Sequence, residues 1–124
     1  MGTINYGLAA ASGLSLVTWA LHTFVGGPAT AGPLLASALP PVAKYTNYYC
    51  WHLVTIVLFA LSTAYGYAAL VPSGLDVAVF ATVVVGAFSL WSVLLVLWKH
   101  RRPWQLPQWL LFLAIGAAAL SGLR

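Results

Sequence analysis

The chain has almost no charge of either sign. Only 5% of its 124 residues are charged, and Asp76 is the single acidic residue. A soluble domain carries about 25% charged residues, because its surface must stay in water. Hydrophobic residues make up 62% of this chain, so it cannot cover itself with polar side chains. Its surroundings are therefore predicted to be largely lipid.

The shortage of acids and cysteines excludes several kinds of chemistry. The only carboxylate side chain is Asp76, near one end of an apolar run, so neither hydrolysis by paired carboxylates nor the proton exchange of a multidrug exporter, which needs a carboxylate inside the membrane, is predicted. Cys50 is the only cysteine, which excludes an intrachain disulfide and a CxxC redox pair. The five basic residues flank apolar runs, so no nucleic-acid partner is predicted. No catalytic residue stands out.

The arrangement of apolar residues predicts helices. No long stretch alternates with the period of two that a membrane barrel requires. In lipid, backbone groups must pair within each segment, which leaves α-helices. A span needs about 20 apolar residues, and four segments qualify, at residues 6–25, 48–70, 75–98 and about 106–123. The predicted fold is all-α, a four-helix transmembrane bundle forming a single domain over residues 1–124.

The end of the first span is predicted at Gly26-Gly27-Pro28, since proline lacks an amide hydrogen and paired glycines favour non-helical backbone. This span is expected to be a retained helix, because no basic residue precedes it as in a signal peptide. The loop that follows, up to residue 47, is apolar with one charge, Lys44. We expect it to form a short interfacial segment that lies on the membrane.

The basic residues predict the orientation. Lys99, Arg101 and Arg102 lie between the third and fourth spans, and Lys44 lies between the first and second. These two loops fall on the same side of a four-pass protein, and the positive-inside rule makes that side cytoplasmic. Both termini are therefore expected outside. The expected location is the inner membrane of a prokaryote.

Aromatic residues gather at the same predicted edge, where amphipathic rings prefer the headgroup level. The residues expected to contact lipid headgroups or a partner are Lys44, Tyr48, Tyr49, Trp51, Lys99, Arg101, Arg102 and Trp104.

All three histidines are also predicted at this edge. His22 lies about one turn before the end of the first span, and His52 about one turn into the second, so the two reach a similar depth. Imidazole binds metals and haem iron, and helical bundles often build such sites from facing helices. His22 and His52 are the predicted cofactor ligands, for haem b or a transition metal. With His100 they form a candidate metal site.

Two classes of function remain open on the sequence. The first is a non-catalytic accessory or structural subunit, whose partners are the bilayer and either other membrane subunits or further copies of itself. Small residues such as Gly7, Ala11 and Ser15, spaced by four, favour close helix packing in lipid. The second is a haem- or metal-binding redox subunit that uses His22 and His52.

Overall fold

The computed structural model describes residues 3–124, and every regular element in this range is helical. A π-helical segment, Leu21–Ala31, continues α1 into α2, and short 3-10 turns at Pro72–Gly74 and Pro103–Gln105 precede α4 and α5. The α-helices are α1 (Tyr6–Ala20), α2 (Gly32–Ala36), α3 (Pro41–Leu70), α4 (Leu75–Trp98) and α5 (Gln108–Gly122).

Three of the helical stretches are long and apolar enough to cross a membrane: Tyr6–Ala36, Pro41–Leu70 and Pro72–Trp98. The fourth, α5, is apolar but has only 15 residues. At 1.5 Å per residue it is about 22 Å long, less than the roughly 30 Å of a hydrocarbon core. These helices support a multi-pass membrane protein built as a helical bundle.

Two helix ends differ from the predicted spans. The first helix continues through Gly26-Gly27-Pro28 by changing to a π-helical pattern. In that pattern each amide donates to the carbonyl five residues back, so Pro28 leaves only the carbonyl of Thr23 without its donor. In addition, α3 begins at Pro41, seven residues before the predicted start. Proline is well suited to a first helical position, where no amide donor is needed.

The four long helices form a ring in which α1 packs against α3 and α5, and α4 packs against α5 and α3. A hydrogen bond joins each neighbouring pair. Between α1 and α3 the bonds are reciprocal: the Ser12 hydroxyl donates to the Ser62 carbonyl at 2.8 Å, and the Ser62 hydroxyl donates to the Ser12 carbonyl at 3.0 Å. Bonds between membrane helices contribute about 0.6 kcal/mol each on average.

The other three helix pairs use different donors. The side-chain amide of Asn5, at the start of α1, donates to the carbonyl of Gly122 at the end of α5. The hydroxyls of Tyr65 on α3 and Thr82 on α4 are 3.1 Å apart. The hydroxyl of Ser89 on α4 donates to a backbone carbonyl of α5 at 3.3 Å. The ring is therefore cross-linked by polar contacts as well as by packing.

Small residues allow the closest approach between helices. A Cβ atom added to Gly7 would lie 2.5 Å from the backbone nitrogen of Gly122, so α1 and α5 touch through backbone at this point. Ala11 and Ser15, on the same face of α1, are fully buried. The small face predicted for the first helix is thus a real helix contact.

Candidate functional site

The main cluster of polar aromatic side chains lies where the π-helical segment meets the first half of α3. The imidazole of His22 stacks on the indole of Trp51, with ring centroids 3.9 Å apart and an interplanar angle of 19°. Its Nε2 lies 3.3 Å from the carbonyl oxygen of Trp51. Tyr48 and His52 meet edge to face, with centroids 4.6 Å apart. The structure therefore places His22 against Trp51 and His52 against Tyr48, on two elements that pack together.

A cavity of about 290 Å³ opens beside this cluster, between the π-helical segment, α2 and α3. Its polar lining comes from Thr23, Tyr48, His52 and Thr55. The two threonine hydroxyls donate to backbone carbonyls one turn back in their own helices. None of the lining residues carries a fixed charge. The remaining lining residues are Gly27, Ala31, Gly32, Leu35 and Trp51.

A glycine and the π-helical backbone geometry shape the walls of this cavity. A Cβ atom on Gly26 would lie 2.9 Å from the Trp51 indole, so glycine at this position lets the ring lie against the π-helical backbone. The π-helical pattern carries the chain through Pro28 as a helix, which keeps Gly27 and Ala31 facing α3. Departures of this kind from α-helical geometry occur frequently at functional sites.

The contacts of His22 affect its predicted role as a ligand. Trp51 covers one face of the imidazole, and the Trp51 carbonyl occupies the direction of Nε2. Shared ligation of a metal or haem iron with His52 would require His22 to leave this carbonyl or to bind through Nδ1.

His100 has a structural role instead of joining the other histidines. Its φ of 49° lies in the left-handed region. The His100 amide donates to the Leu97 carbonyl, and the Arg101 amide donates to the Val96 carbonyl, which are the two bonds of a Schellman cap. Across residues 3–124, no three His, Cys, Asp or Glu side chains are grouped so that they could hold one metal ion. The metal site of His22, His52 and His100 therefore stays a prediction.

The residues predicted to contact headgroups or a partner fall into two groups. Lys44 lies in the first turns of α3, and it is half-buried, as are Tyr48 and Trp51. The others are exposed, and the Nζ of Lys99 lies 4.1 Å from the centroid of the Trp98 ring. The exposed group comprises Tyr49, Lys99, Arg101, Arg102 and Trp104.

The sequence did not lead us to predict the cavity wall formed by residues that come before α3. Thr23, Gly27, Ala31 and Leu35 recur every four residues, which is a helical spacing. That signal was hidden because Gly26-Gly27-Pro28 is typical of a helix end. On the other wall, Tyr48, His52 and Thr55 follow the spacing of one helix face. Cys50 is exposed and lies outside the cavity lining.

No protein-family model, no curated protein and no solved structure matches this chain.

Proposed function

We propose that this chain is a non-catalytic membrane protein that assembles with a second copy of itself through the α4–α5 face. A groove of about 520 Å³ between α4 and α5 carries the proposal. Its lining includes Gly86 and Ser89 from α4, and Gly116 and Ala117 from α5. No charged residue lines it. A groove of this size, with four small residues in its lining, can accept the side chains of another membrane helix.

The exposure of Gly86 supports a second copy of the chain as the occupant of this groove. It is exposed near the middle of α4, and a Cβ atom there would meet nothing within 4 Å. In lipid, helices associate by close backbone approach at small residues. A two-fold axis beside Gly86 would let α4 of each copy enter the groove of the other, so one patch serves both sides of a closed dimer.

Replacing Gly86 with leucine is expected to abolish this association without disturbing the fold, because the added side chain enters open space within one copy. The measurement is energy transfer between labelled copies reconstituted in vesicles, over a range of protein-to-lipid ratios. Gly13→Leu is the matched control, since Gly13 is also exposed with nothing within 4 Å, but lies on α1. Equal transfer in both variants, or a monomeric wild type, would contradict the dimer. Transfer that appears only with another membrane subunit would point to an accessory role in a larger complex.

The proposed orientation places both termini outside a prokaryotic inner membrane, with the loop before α3 in the cytoplasm. Because Cys50 is the only cysteine, Cys50→Ser provides a thiol-free background. In that background, Ala38→Cys marks the loop before α3, and Ser73→Cys marks the turn before α4; both positions are exposed. We expect a membrane-impermeant maleimide to label position 73 in spheroplasts and position 38 only in inverted vesicles. The reverse pattern would invert the topology.

The alternative function is a redox subunit in which His22 and His52 hold haem b or a transition metal. Its support is that His22 stacks on Trp51, the residue that precedes His52 in α3. It requires the His22 contact with the Trp51 carbonyl to be given up or bypassed. The absorption spectrum and metal content of gently purified protein separate the two functions. A Soret band, or about one equivalent of metal, that is lost in both His22→Ala and His52→Ala would favour the alternative.

A further inference from the structure

We infer that the cavity between the π-helical segment and α3 binds the headgroup of a neutral amphiphile that carries carbonyl acceptors, of the isoprenoid quinone class. This site is separate from the α4–α5 groove, so it does not depend on the proposed dimer. The inference rests on the volume of the cavity, on its free hydrogen-bond donors and on its lack of charge.

The volume of the cavity fits a small headgroup. The cavity holds about 290 Å³, near the lower end of the volumes that small-molecule sites occupy. On the side opposite α3 its wall is formed partly by Gly27 of the π-helical segment and Gly32 of α2, so backbone approaches the space closely. A Cβ atom on Gly27 would meet nothing within 4 Å, which shows that this wall faces open volume. On the α3 side the wall includes the rings of Tyr48, Trp51 and His52.

The chemistry favours a ligand that accepts hydrogen bonds. The hydroxyls of Thr23 and Thr55 already donate within their helices. Within residues 3–124, neither the Tyr48 hydroxyl nor the His52 ring makes a hydrogen bond. The two rings pack against each other edge to face. A phenol and a neutral imidazole each offer one donor. The indole N–H of Trp51, in the same lining, makes no hydrogen bond within these residues either, so the site presents three free donors to one bound molecule.

The absence of charge separates a quinone-like headgroup from a phosphate. None of the lining residues is a lysine or an arginine, whereas phosphates are usually held by such groups. The basic residues after α4 do not line the cavity, and neither does Lys44. A neutral headgroup loses less hydration on entering such a site. Because the site lies at one end of helices apolar enough to span a membrane, an isoprenoid tail has an apolar surface to follow.

The test measures saturable binding of decyl-ubiquinone to the purified full chain in micelles, by equilibrium dialysis. Gly27→Phe fills the cavity with a side chain that the backbone tolerates, since no glycine in residues 3–124 has a positive φ. Gly13→Phe adds the same side chain at an exposed site on α1 that also has free space around it. We expect the wild type and Gly13→Phe to bind alike, and Gly27→Phe to lose saturable binding.

A second variant tests the donors. Tyr48→Phe keeps the ring and removes the hydroxyl, and we expect affinity to fall roughly tenfold, the size of one well-formed hydrogen bond. Thermal unfolding of each variant verifies that it is folded. Absence of saturable binding by the wild type, or equal binding by the Gly27→Phe and Gly13→Phe variants, would overturn the inference. Saturable binding of phosphatidylglycerol or of diacylglycerol in place of the quinone would overturn it too, and would assign the cavity to a membrane lipid.

Discussion

Replacing Tyr65 with alanine is expected to destabilise the bundle by roughly 3 kcal/mol, the lower end of the cost of truncating a buried aromatic side chain. Tyr65 is the largest fully buried side chain and lies in the central core cluster. In lipid, the transfer part of this cost is small, because the surroundings are as apolar as the core. The expected loss therefore comes mainly from contacts forfeited around the cavity. Titration of a denaturing detergent into mixed micelles, followed by tryptophan fluorescence, measures it.

Tyr65→Phe separates packing from hydrogen bonding at the same position. This variant keeps the ring and removes the hydroxyl that lies 3.1 Å from Thr82, so we expect a loss of only about 0.6 kcal/mol. Thr82 retains its bond to the carbonyl of Ala78, and no buried donor is left unpaired. Equal losses in the two variants would show that the hydroxyl contact, and not the packing of the ring, stabilises this part of the core.

Replacing Gly7 with valine is expected to separate the first turn of α1 from the last turn of α5. The added Cβ would lie 2.5 Å from the nitrogen and 2.6 Å from the Cα of Gly122. Backbone cannot move aside as a flexible side chain can, so we expect a loss of roughly 1 to 3 kcal/mol, typical of overpacking. The bond from the Asn5 side-chain amide to the Gly122 carbonyl should break at the same time. Hydrogen exchange of the α5 C-terminal amides and detergent titration measure the two effects.

Gly13→Val controls for the helix propensity of valine, because a Cβ atom at Gly13 meets nothing within 4 Å. It is expected to retain wild-type protection at the end of α5. If Gly7→Val also left that protection unchanged, the close contact between α1 and α5 would not be required for the fold.

The site shows how a local pattern and a tertiary contact combine. Gly26-Gly27-Pro28 is a reliable signal that a regular α-helix cannot continue, and α1 does end before it, at Ala20. Whether the chain then turns away or continues as a wider helix depends on what lies beside it. Here the Trp51 indole lies against Gly26, and the π-helical segment packs beside α3. These contacts arise between residues far apart in the sequence, and local propensity does not contain them.

The sequence by itself determined the class of this protein. Its apolar composition and the lengths of its apolar runs predict helices long and apolar enough to cross a membrane, because backbone groups in lipid must pair within their own segment. The positions of α3 and α4 were predictable to within a few residues at most ends. The gathering of Tyr48, Trp51 and His52 on one face also follows from helical spacing.

Tertiary structure alone decided which of these residues meet, and in what geometry. Stacking of His22 on Trp51 and the opening of a cavity beside Thr23 and Gly27 both depend on the relative rotation and separation of helices. Those quantities are set by packing at a few close contacts, such as Gly7 against Gly122 and Ser12 against Ser62. Small residues are common along membrane helices, so many close helix contacts are compatible with the sequence. Which of them form is decided by the packing of the bundle.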